Sequence, residues 1–181
     1  MATPPAPDRV LISVFADGDM TPFLLSTLGM ALHILDSAEL GSDLKDAVLA
    51  RGLLDPAHLH HLLATGQALR QAVPEAENPD FELPADDADR PAWRLTLADV
   101  LAIATANDFI ASSFLHAFGD EARRVQVEIN GVPAEVYDAH ITETLGYFAR
   151  FQREWQELFG KYPAYQQRQA ELAALRAEFV G

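Results

Sequence analysis

Apolar positions fall in one short continuous run near the start of the chain and recur every three or four residues through most of the remaining sequence. RVLISVF at 9–15 is β-branched and aromatic, which predicts a buried strand. Leu24, Leu25, Leu28, Leu32 and Leu35 share one face, predicting a helix that Thr21 caps, Pro22 opens and Asp36 ends. Ser42 begins a shorter helix that stops at Arg51-Gly52, glycine being the residue that turns left-handed most cheaply. Asp55-Pro56 opens the next, to Val73, with Leu54 and Leu59 in the positions of a hydrophobic staple.

Residues 74–94 break the periodicity: four prolines and seven acidic residues stand against two arginines, which predicts a loop or tether. It divides the chain into 9–73 and 95–181, either as subdomains or as parts of one domain. Thr96 and Asp99 form a capping-box variant, with Leu95 and Val100 in staple positions. The helix they start runs to Phe118 and is apolar over most of its circumference, as a central buried helix is. VQVEI-NG-VPAEVY at 125–137 alternates on both sides of Asn-Gly, which predicts a β-hairpin whose second strand Pro133 confines to an edge. Asp138 then caps a long helix carrying Ile141, Leu145, Phe148, Trp155 and Phe159. Beyond Gly160 a last helix carries Tyr165, Leu172, Leu175 and Phe179 at similar spacing, predicting an antiparallel helical hairpin. The expected fold is mainly α: a helical bundle with a C-terminal helical hairpin and a small antiparallel β element near 125–137, which the 9–15 strand can join.

Composition narrows the function. Of 181 residues 49% are hydrophobic and 22% charged, a globular balance, and that length suits one core of ordinary size. A formal charge of −14 repels phosphate backbones and anionic lipid, so neither nucleic acid nor membrane is an expected partner. With no cysteine there is no disulfide and no thiolate chemistry. The start MATPPAPD lacks the basic segment of a secretory signal, and a cytoplasmic location is expected.

Candidate chemistry is sparse. DPAHLHH at 55–61 holds three of the six histidines, of which only His58 and His61 have a ligand-like spacing. They flank the apolar stripe, and neither His33, His116 nor His140 is nominated as a third ligand, so the expected reading is a solvated helix start without metal. Asn107-Asp108 sits in the middle of the central helix, where a buried amide fixes helix register or meets a ligand. Ser112 and Ser113 have no base nearby in sequence and no Gly-x-Ser-x-Gly elbow.

FADGDMT at 15–21, just after a hydrophobic strand, resembles the first motif of the haloacid dehalogenase-like phosphohydrolases. That resemblance implies Asp17 as nucleophile and Asp19 as general acid/base beside Mg²⁺. It also implies a parallel sheet, a later lysine and a late acidic motif. The chain supplies only Lys45, Lys161 and the loop pair Asp86-Asp87 for the last two.

No catalytic or metal constellation and no cofactor is expected. The aromatic seam of Phe148, Phe151, Trp155, Phe159 and Tyr162 has more ring area than one hairpin buries on itself, and is the expected contact surface. The reading is a non-enzymatic protein that binds another protein: an adaptor, an inhibitor or immunity-type protein, an assembly factor or a structural subunit, with homo-oligomers compatible. The alternatives are a metal-binding protein or phosphohydrolase using Asp17 and Asp19, and an acidic mimic of nucleic acid.

Overall fold

The computed structural model describes residues 9–37, 42–73, 90–117 and 119–179. It is mainly helical, with one small sheet. In chain order come β1 (Val10–Phe15), α1 (Met20–Asp36), α2 (Ser42–Ala50), α3 (Pro56–Ala72), β2 (Ala92–Thr96) and α4 (Leu97–Ala117). The remaining elements are α5 (Asp120–Arg124), a single π-helical turn (Val125–Ile129), α6 (Ala134–Phe159) and α7 (Pro163–Phe179).

α4 is the axis of the molecule. It packs against α1, α3, α6, α7 and β2, and every residue from 103 to 110 is buried. Leu97–Phe114 is long and apolar enough to span a bilayer by composition alone, and those packing partners account for its apolarity as a core helix. Its start matches the predicted capping box: Asp99 Oδ2 accepts from the Thr96 N–H at 2.9 Å, and Thr96 Oγ1 from the Asp99 N–H at 3.4 Å. At α3, Asp55 Oδ1 accepts from the Ala57 N–H at 3.0 Å, with Leu54 and Leu59 both buried. Gly52 takes φ +65° as expected of the turn after α2.

The sheet is not where alternation placed it. β1 pairs antiparallel with β2, Val14 opposite Trp93 and Ile12 opposite Leu95, so the strand partner begins inside the stretch read as loop and ends in the residues read as the staple and cap of α4. Trp93 and Leu95 point inward while Arg94 points out, the period of two that marks a strand with one buried face. The 125–137 hairpin is absent. A type I′ turn needs positive φ at both central residues, but Asn130 has φ −86° and only Gly131, at +73°, is left-handed. Asn-Gly here ends the π turn: the Asn130 N–H donates to the Val125 carbonyl at 3.0 Å and the Val132 N–H to the Gln126 carbonyl at 2.9 Å. Pro133 then caps α6 five residues before the predicted cap Asp138, its carbonyl accepting from Val136 and Tyr137. Thr21 is not a cap either. α1 begins one residue earlier, and the Thr21 hydroxyl donates to the Phe15 carbonyl at 2.6 Å, tying strand end to helix start.

One apolar cluster draws on both sides of the 74–89 stretch, from Val14, Leu24, Leu28 and Leu59 to Trp93, Ile103, Phe109, Trp155 and Leu172. At its centre Trp155 lies between Phe151, tilted at 4.7 Å, and Phe159, edge-on at 5.1 Å. The 74–89 stretch itself, the acidic pair Asp86-Asp87 and the side chains of His116 and Phe118 lie outside the described residues.

Candidate interaction surface

The aromatic seam divides. Phe151, Trp155 and Phe159 are buried in the core and present no surface, which corrects their assignment as contact residues. They are covered by the helices around them: Phe151 meets Phe23 of α1 at 5.3 Å, and Phe159 meets Tyr165 of α7 at 6.1 Å. Phe148 and Tyr162 are half-buried at the two ends of the seam, Phe148 against Phe114 of α4 at 6.3 Å.

That last contact locates the end of the core. α6 runs antiparallel to α4, Gln152 reaching Asp108 and Phe148 reaching Phe114. α4 ends at Ala117, three residues past Phe114, so Ala134 to Thr144 of α6 extend beyond it by about 16 Å at 1.5 Å per residue. Along this extension α6 packs against the π turn, and Asp138 makes a two-pronged bond to Arg123 at 2.8 and 2.9 Å. Among the described residues, no hydrophobic side chain from 119 to 147 belongs to the core cluster or is packed against it. Within that arm Tyr137 alone is buried among the described residues. Ile129, Val136 and Tyr147 are 63%, 56% and 58% exposed. Val136, His140, Glu143 and Tyr147 have a 4-3-4 spacing that aligns them on one face of α6, all four in the exposed class.

The other candidate residues are engaged separately. Asp17 accepts from Arg90 at 2.8 Å, and the Arg90 guanidinium lies 3.9 Å over the Phe15 ring, while Asp19 is exposed at the head of α1. The one sheet among the described residues is two-stranded and antiparallel, unlike the parallel sheet that the phosphohydrolase resemblance implies. His58 bonds Asp99 at 2.7 Å while His61 is exposed, so the pair is not brought together, and no group of three metal-ligating side chains occurs among the described residues. The His58–Asp99 contact joins residues 41 apart and has no signature in local spacing.

Inside the bundle α4 carries a polar centre. Asp108 is buried and bonds Arg176 of α7, with Gln152 of α6 donating at 3.3 Å. Arg168 of α7 bridges Thr105 Oγ1 at 2.9 Å and the Leu53 carbonyl at 3.2 Å. These bonds fix how α6 and α7 sit on α4. Asn107 is fully buried, and neither its amide oxygen nor its nitrogen has a hydrogen-bond partner among the described residues.

Burial pushes the Asp108 carboxyl above the ordinary carboxylate range, against the opposing pull of the Arg176 charge and hydrogen bond. The folded chain therefore holds a proton that the unfolded chain has released, and stability is lost as pH rises through that interval. Asp108→Asn keeps an acceptor for Gln152 and leaves Arg176, partly exposed, free to turn to water. Relative to wild type, this variant is expected to gain stability between about pH 3 and pH 7 in urea unfolding. A relative loss over the same interval would show that attraction to Arg176 outweighs desolvation.

No family model, no curated protein and no solved structure matches this chain.

Proposed function

We propose that this is a non-enzymatic cytoplasmic protein that binds another protein through the helical arm of residues 119–147. The observation carrying this reading is that the arm adds nothing to the core yet holds Ile129, Val136 and Tyr147 out to solvent on ordered helix. Exposed aromatic and aliphatic side chains are the kind of residues that anchor interfaces. The buried half of α6 anchors the arm and the projecting half makes the contact.

The test compares wild type with Val136→Ser/Tyr147→Ser as bait in extract from the native host, after matching melting temperatures. At least one protein held in stoichiometric amount by wild type is expected to fall about tenfold or more with the variant, the effect of removing interface anchors. Equal retention of every captured protein by both baits would overturn the reading.

A further inference from the structure

The arm also carries a distinctive charge. Between residues 119 and 147 stand Asp120, Glu121, Glu128, Glu135, Asp138 and Glu143, against only Arg123 and Arg124. Both arginines are engaged within the arm, Arg123 by Asp138 and Arg124 by Glu121. Asp120, Glu128, Glu135 and Glu143 make no ion pair among the described residues, and all four are exposed. Glu143 stands between Val136 and Tyr147 on their face of α6, Glu135 adjoins Val136, and Glu128 adjoins Ile129 on the π turn. Apolar side chains and carboxylates without an ion pair among the described residues thus alternate along the arm, and on the Val136–Tyr147 face of α6 Glu143 lies between them.

This pattern selects among occupants. A second copy laid arm to arm would oppose two like-charged surfaces within a chain that already carries −14, and like-charge juxtaposition across an interface costs several kcal/mol. A cationic segment meets the same carboxylates favourably and is steered toward them before contact. The exposed positions spaced 4-3-4 on α6 suit an incoming helix, which would set its own apolar stripe against Val136 and Tyr147. Resting on the arm as the binding surface, we infer that it docks a cationic amphipathic helix of its partner protein, with aliphatic residues on Val136 and Tyr147 and Lys or Arg facing Glu128, Glu135 and Glu143.

The experiment uses the full chain and three labelled peptides of about five helical turns. One carries leucine at i, i+3, i+4 and i+7 with lysine elsewhere, one has the same composition scrambled, and one has glutamine for lysine. Fluorescence anisotropy is expected to show the cationic amphipathic peptide binding at least tenfold tighter than the other two. Glu128→Gln/Glu135→Gln/Glu143→Gln is expected to weaken that binding about tenfold and flatten its salt dependence. Val136→Ser/Tyr147→Ser should weaken it at least as much.

If the glutamine peptide binds as well as the lysine one, and both are lost with Val136→Ser/Tyr147→Ser, the arm is a docking site but its cationic preference is wrong. Should no peptide respond to that substitution, the arm reading falls as well. A dimer in light scattering that Val136→Ser/Tyr147→Ser dissociates would make a second copy the occupant and overturn the inference.

Discussion

Gly66→Ala is expected to destabilise the fold by about 3 kcal/mol or more, although alanine is the better helix former by about 1 kcal/mol. Gly66 lies on the buried face of α3, and the indole of Trp93 from β2 rests on it: a Cβ there would overlap Cζ2 of the ring. The ring is almost wholly buried, in a strand whose backbone is paired to β1, so it cannot swing aside without disturbing the sheet. Gly29, inside α1, has no neighbour within 4 Å of an added Cβ. There the same substitution is expected to stabilise by about 0.5–1 kcal/mol, through propensity alone. Denaturant midpoints should therefore move in opposite directions for two chemically identical changes. Adding Trp93→Leu to Gly66→Ala should recover part of the loss, a non-additivity that locates the clash. Matching small gains at both glycines would mean that Trp93 does not lie on α3.

The Gly66–Trp93 contact shows where sequence reasoning stopped. Features set by a few adjacent residues were legible: the Asp55 cap with its Leu54/Leu59 staple, the left-handed Gly52, and the Thr96/Asp99 box opening a helix apolar all round. Each is a local hydrogen-bond or steric rule that needs no knowledge of the fold. β2 escaped because its five residues run directly into α4 and Thr96 belongs to both strand and cap. The 125–137 segment misled because alternation of Val125, Val127 and Ile129 also suits an exposed turn of helix, and Asn-Gly ends helices as readily as it turns hairpins. Asp108 with Arg176, and His58 with Asp99, are 68 and 41 residues apart, pairings that tertiary packing alone decides. For the same reason an aromatic stripe at helical spacing could not reveal which half would be covered. Coverage depends on which neighbouring helices pack on each face of α6.

Two substitutions in α6, eight residues apart, test that division directly. Trp155→Ala is expected to cost about 3–5 kcal/mol, because it removes a fully buried indole that packs against Phe151 and Phe159 where several helices meet. Tyr147→Ala is expected to stay within about 0.5 kcal/mol of wild type, since a side chain 58% exposed, with only a long 3.4 Å bond to Glu143, leaves little packing to lose. Both changes remove an aromatic ring from the same helix, so propensity cannot explain a difference between them. The contrast reflects the face of α6 that each side chain occupies: α4 runs alongside both, and Trp155 turns into the bundle while Tyr147 turns to solvent. If Tyr147→Ala instead proves as costly as Trp155→Ala in chemical unfolding, the arm must be packed against protein in solution, either folded back on the bundle or paired with another copy. Its apolar residues would then contribute to the stability of the fold or assembly and would not be free for a partner. A small effect at Tyr147 beside a large one at Trp155 leaves the exposed face of α6 that carries Val136 and Tyr147 available for binding, because the fold neither gains from these side chains nor hides them.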